Sequence, residues 1–182
     1  MSLVRRAVAI GLCALSSAAC GATHHRAPAR LTKLAQAQAT HEYSSPPPPP
    51  ETAAAAASAP AEAVRAFATA YINWTAQTVA RVMRSLAAQS VGQARSAMAL
   101  AAAETADDYE LQRGGIANRG TVQAVAPLPG GPNRYVVVTL ESTSATNTTA
   151  YQGLRPAWHV ALATVTELQP GQWVVSGWQP EN

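Results

Sequence analysis

Apolar and polar positions change period once along this chain, near residue 115, and that change predicts the fold class. From Pro60, apolar or small residues recur at Val64, Phe67, Ala68, Tyr71, Trp74, Thr75, Thr78, Val79, Val82, Met83 and Leu86. This three-to-four spacing predicts one amphipathic helix of about 28 residues, with Arg65, Arg81 and Arg84 largely off the stripe. Pro60 suits the first helical turn, and Glu62 complements the dipole there. Ser90 and Gln93 have the spacing of a capping box that opens a second helix. Val91, Ala94, Met98, Ala101, Ala102, Thr105 and Tyr109 give that helix a narrow face of mostly small residues, and Gly114-Gly115 ends it.

After Gly115 the period becomes two. "NRGTVQAVAPL", "RYVVVTLEST", "PAWHVALATVTEL" and "QWVVSGW" read as four strands, the last two joined through "QPGQ". Proline followed by glycine fits the centre of a type II turn, so these two strands are expected to form a hairpin. Helices followed by strands predict an α+β fold: two N-terminal helices packed on a curved, cone-like antiparallel sheet of about four strands. In the third strand Trp158, Val160, Leu162 and Thr164 share one face, and His159, Ala161, Ala163 and Val165 the other. In the fourth, unbroken alternation would send Trp173 and Trp178 to opposite faces, which argues for packing roles over one aromatic platform.

Composition then separates the ends of the chain. Arg5 and Arg6 precede the apolar stretch "AVAIGLCALSSAA", the order of an export signal, and that stretch is short of the roughly 20 residues of a spanning helix. The sequence at "LSSAAC" resembles a bacterial lipobox, with Cys20 as the lipid-modified residue, although Leu15 stands two places before the position the lipobox prefers. Ordinary cleavage and secretion, or a retained anchor, are the alternatives. Residues 1–20 are therefore read as a signal peptide. Residues 21–59, with five prolines at 46–50 and an alanine run, are read as a disordered tether reaching roughly 30–50 Å. Residues 60–182 are read as the domain.

The formal charge of +3 lies at the N-terminal end. From residue 60 onward eight arginines balance eight acids, which leaves little to attract phosphate, so nucleic acid is not an expected partner. Both cysteines lie in the first 20 residues, and the domain has neither disulfide nor thiolate chemistry. Neither a metal site nor a cofactor is expected.

The order of elements and the ending "QWVVSGWQP", with Trp173, Val174, Val175, Ser176, Gly177, Trp178 and Pro180, resemble the nuclear-transport-factor-2-like superfamily. The ending is most similar to exported accessory proteins of mammalian-cell-entry transport systems and to periplasmic domains of conjugative or type IV secretion assembly factors. That resemblance implies a non-enzymatic accessory domain at the extracytoplasmic face serving protein–protein assembly; relatives of that type usually carry a transmembrane helix where this chain has the lipobox-like Cys20, so here the expected hold on the membrane is the lipid. Glu104, Asp107 and Asp108 are a candidate partner surface, because acids crowd the end of the second helix where the dipole disfavours them. The resemblance also implies a cavity between helix and sheet, with Tyr71, Trp74, Trp158 and His159 as candidate lining. A hydrophobic small molecule there, or ketosteroid-isomerase-like or cyclase-like chemistry using Tyr71, Asp107 or Asp108, and His159, is the alternative function. A homo-oligomer is an additional expectation.

Overall fold

The structure, a computed structural model, describes residues 47–181; the segment read as a signal peptide, with Cys20, and the segment read as a tether, as far as residue 46, lie outside the described residues. The elements are α1 (Pro60–Ile72), β1 (Trp74–Thr75), α2 (Val79–Ala88), α3 (Gly92–Ala106), α4 (Tyr109–Gly114), β2 (Ile116–Pro127), β3 (Arg134–Ala145), β4 (Ala157–Gln169) and β5 (Gln172–Glu181). The fold is α+β, with a strongly curled antiparallel sheet in the order β1-β2-β3-β4-β5. Among the described residues no helix is long and apolar enough to cross a membrane.

The stripe read as one long helix is carried by two. Val64, Phe67 and Ala68 of α1 and Val79, Met83 and Leu86 of α2 are all buried in one core, so membership was right and continuity was not. The break lies at Asn73. Its amide donates to Thr69 O (2.8 Å) and to Gly120 O (3.1 Å), and its Oδ1 accepts from Gly120 N–H (3.2 Å). Asparagine side chains compete with the helix for backbone partners. Here the competitor is a sheet edge, and Trp74–Thr75 then pair with Asn118 and Ala117 as a short fifth strand.

The second expected helix is also two, divided at Asp107–Asp108. The small-residue face is as read, with Ala94, Met98 and Ala102 buried. The expected capping box does not form. Ser90 Oγ donates back to Leu86 O (2.7 Å), and the Gln93 side chain reaches the sheet instead. The N–H of Gly92 is capped by Glu51, whose two carboxylate oxygens each lie 3.1 Å away. Arg95 holds the Thr52 carbonyl, Ala54 N–H donates to Ala88 O (2.8 Å), and Ala57 exchanges two 2.9 Å bonds with Trp173 of β5. The compact unit therefore begins at Pro48, earlier than the Pro60 expected. Alanines 54 and 57 lack the side chains that announce a folded segment, and their contribution is backbone pairing.

The hairpin of β4 and β5 is as expected, with Gly171 at φ 73°, which a side chain would disfavour. One detail differs and matters. The register passes from Thr164↔Gly177 to Val165↔Val175, so Ser176 is an extra residue in β5. This bulge resets the alternation. Trp173, Val175 and Trp178 consequently all join the helix-facing core, and the expectation of opposite faces for Trp173 and Trp178 is corrected. The β5 edge is closed by Ala57, by Val91 N–H donating to Val175 O (3.1 Å), and by the Gln93 amide. Gln93 accepts from Trp178 N–H (2.8 Å) and donates to its carbonyl (3.4 Å). Gln93 at β5 and Asn73 at β2 thus each imitate a passing strand. Such covers suppress pairing with other chains.

Candidate functional site

The sheet offers two surfaces. On the helix side, Val137, Thr139, Glu141 and Thr143 of β3 alternate inward, and His159 stands opposite Thr139 in register. Tyr71 at the end of α1, Trp74 of β1, and Met83 and Met98 of α2 and α3 close the space above them, enclosing a cleft of about 370 Å³. A second lobe of about 160 Å³ shares Tyr71, Glu141 and His159 and is floored by Trp178. Of the four expected lining residues, the structure brings Tyr71, Trp74 and His159 together in one hollow. A separate hollow of about 140 Å³ lies under the 55–57 segment, against Phe67, Leu86 and Trp173, with no titratable group in its wall.

The cleft's chemistry centres on a residue the sequence did not single out. Glu141 Oε1 accepts from Thr139 Oγ1 (2.6 Å), and Oε2 accepts from Asn118 Nδ2 (2.7 Å). Asn118, 6% exposed, also donates to Ile72 O (2.9 Å) and accepts from Thr143 Oγ1 (3.1 Å). Every polar atom of this amide is engaged, and both carboxylate oxygens have a partner. The available signal was phase: Glu141 falls in step with Val137 and Thr139, the inward positions of a strongly β-branched strand.

Burial pushes the Tyr71 hydroxyl above its ordinary pKa, the Trp178 indole N–H pulls the other way, and the Glu141 carboxylate adds to the rise. The Trp178 N–H is buried with no partner in hydrogen-bond geometry, so its pull is that of a nearby dipole and the rise prevails. The phenol therefore stays protonated in the fold after the unfolded chain has lost that proton. The unfolded state then binds fewer protons, and stability must fall as pH rises past about 10 towards the raised folded value. A Tyr71→Phe variant should show a shallower alkaline fall in its urea midpoint; an unchanged slope would count against a desolvated Tyr71.

Trp158 is not part of the cleft. It lies opposite Leu140, on the sheet face away from the helices, and is 65% exposed. The alternation that puts His159 inside puts Trp158 outside. Around it the register assembles cross-strand rows: Thr121–Leu140–Trp158, Ala124–Val138–Val160 and Ala126–Val136–Leu162. Val160 is 40% exposed, and Val136, Val138, Leu140 and Leu162 are only half-buried. The core lies on the opposite face, and at the margins of these rows Pro156 adjoins Thr121 and Leu140 while Gln93 adjoins Leu162.

Half of the acidic cluster loses its anomaly. Asp108 caps α4, its carboxylate accepting from Leu111 N–H (3.0 Å), and Glu110 sits in that helix's first turn, where the dipole favours it. Glu104 and Asp107 are exposed near the end of α3, and neither Asp107 nor Asp108 reaches the cleft. Compared with protein-family models and with curated proteins, the sequence matches none.

Proposed function

We propose that this protein is a non-enzymatic accessory domain of a bacterial envelope, anchored through a lipid on Cys20, that works by protein–protein assembly in a transport or conjugation/secretion system. The observation that carries this reading is the uncovered apolar face centred on Trp158 and Val160. Large apolar patches of this kind on soluble domains mark interaction sites, and exposed tryptophan is the side chain most enriched in interface hot spots. The order of helices followed by a curled antiparallel sheet, with a cleft between, supports reading the fold as nuclear-transport-factor-2-like. The cleft is the basis of the alternative, a site for a small hydrophobic molecule or acid–base chemistry. It ranks second because the Glu141 oxygens are committed to Thr139 and Asn118 and the Tyr71 proton is held more tightly than usual.

The double variant Trp158→Glu/Val160→Glu tests the reading. Both side chains are exposed, so the melting temperature should shift by no more than a few degrees. Extracted from the native envelope in mild detergent, the wild type should travel in a complex larger than one chain and the variant should travel free. A variant that remains in the same complex would sink the proposal. Metabolic lipid label should enter the wild type and be lost in Cys20→Ala, and a wild type without label would remove the anchor.

A further inference from the structure

We infer that residues 48–59 are a latch that opens and closes on an otherwise finished domain, storing a length of tether while it is shut. By sequence the segment is three prolines followed by a run dominated by alanine, and it reads as tether. The structure nevertheless seats it across α2, α3 and the edge of β5. Five donors hold it there. Gly92 N–H donates to the Glu51 carboxylate, the Arg95 guanidinium to the Thr52 carbonyl, Ala54 N–H to Ala88 O, and Ala57 and Trp173 exchange one N–H each. Glu51 and Arg95 supply the side chains of this set, and the rest is backbone. Arg95 Nε also donates to Ser90 O (2.9 Å), so the guanidinium keeps its position when the segment leaves.

Little apolar burial backs these bonds. Ala53, Ala57 and Ala59 are half-buried, and Ala54, Ala55 and Ala56 are exposed. The hollow of about 140 Å³ against Phe67, Leu86 and Trp173 stays unfilled, because residues 53–57 offer only methyl groups to it. Ordering one residue opposes docking by about as much as one net hydrogen bond favours it. Here about 12 residues share five bonds, so the docked form has little margin over the released one. Few buried apolar contacts and exposed hydrogen bonds mark a segment that opens locally, below global unfolding. The buried residues of α1 begin at Ala63, beyond the latch, so the core stays assembled when it opens. Opening bares the Trp173 N–H and C=O and the apolar wall of Phe67 and Leu86, which draws the segment back. Released, it adds about 12 residues, roughly 40 Å of extended chain, to the segment read as a tether. The latch stands without any anchor; its use in setting the domain's reach rests on the proposed attachment at Cys20.

Hydrogen–deuterium exchange on the full-length chain, resolved to single amides, tests the latch. The amides of Ala54, Ala57 and Trp173 should exchange more than about tenfold slower than in an unfolded chain. They should also exchange more than about 100-fold faster than those of Val137 and Thr139 in the middle of β3. In Glu51→Ala/Arg95→Ala the three should speed up by about a further tenfold while β3 is unchanged. An unprotected segment has no closed state, and that result would overturn the latch. Protection equal to that of β3, or a variant that accelerates β3 and the segment alike, would overturn it too, since the segment would then leave only with the whole fold. With the latch in place, Trp158→Glu/Val160→Glu and Cys20→Ala keep the wild-type exchange at these amides, whatever becomes of the open face or the lipid. The latch and the proposed function therefore fail separately.

Discussion

Replacing Trp178 with alanine should lower the stability of the fold by about 3–5 kcal/mol, seen as a large fall in the urea midpoint at unchanged slope. Trp178 is 4% exposed and is where the helices meet the sheet. Its ring lies 5.1 Å from Phe67 and 5.2 Å from Tyr71, both tilted contacts, and below them Val137, Ala161, Ala163 and Val175 complete the core. Truncation leaves a cavity that α1 cannot fill without leaving β2 and β3. Trp178→Phe should cost less than half as much. Phenylalanine keeps most of the apolar contact and removes a buried N–H that has no partner, a liability of about 1–3 kcal/mol. If the phenylalanine variant loses as much as the alanine variant, the indole N–H is satisfied and the packing account is wrong.

The second large effect is expected at Asn118. Asn118→Ala should cost about 2–4 kcal/mol, because one amide serves Ile72, Glu141 and Thr143 together. Its removal leaves one oxygen of the Glu141 carboxylate facing an apolar cleft without its donor. Asn118→Asp should be worse at neutral pH, since it places a second carboxylate beside Glu141, and should recover in part on acidification as the pair takes up a proton. The urea midpoints of both variants at neutral and acidic pH check this. A variant Asn118→Asp with no pH dependence of its own would mean that Glu141 is free to turn away, and that the cleft network does not hold α1 to the sheet.

These two residues also show where the sequence could be read and where it could not. The change of hydrophobic period at Gly115 announced helices before strands, and the faces of β3 and β4 followed from alternation alone. Alternation reaches only as far as the next irregularity. Ser176 has nothing in its own chemistry to mark it as the extra residue of a bulge; that is decided by its partner strand, where Thr164 and Val165 are consecutive. So the phase of Trp178 was lost at the step that mattered. Helix continuity failed at Asn73 for a similar reason, because the amide's preferred partner, Gly120, lies 47 residues away. Gly120 itself leaves no room for a side chain: a Cβ there would lie 2.8 Å from the Leu140 carbonyl. Tyr71, Trp74 and His159 were legible as cavity residues because each sits in phase with a helix stripe or a strand face. Asn118 and Glu141 were missed because a polar side chain inside a strand gains its meaning from the strands beside it.

The working surface proposed for this protein is the open face of the sheet, with the cleft read as a structural network beneath it. Native mass spectrometry of the full-length chain, released from its envelope in mild detergent, sets those two surfaces against each other. The prediction is a polypeptide companion that is absent from the Trp158→Glu/Val160→Glu variant, with no small molecule retained on either. A single chain that carries a small molecule, equally in wild type and double variant, would contradict it and place the function in the cleft.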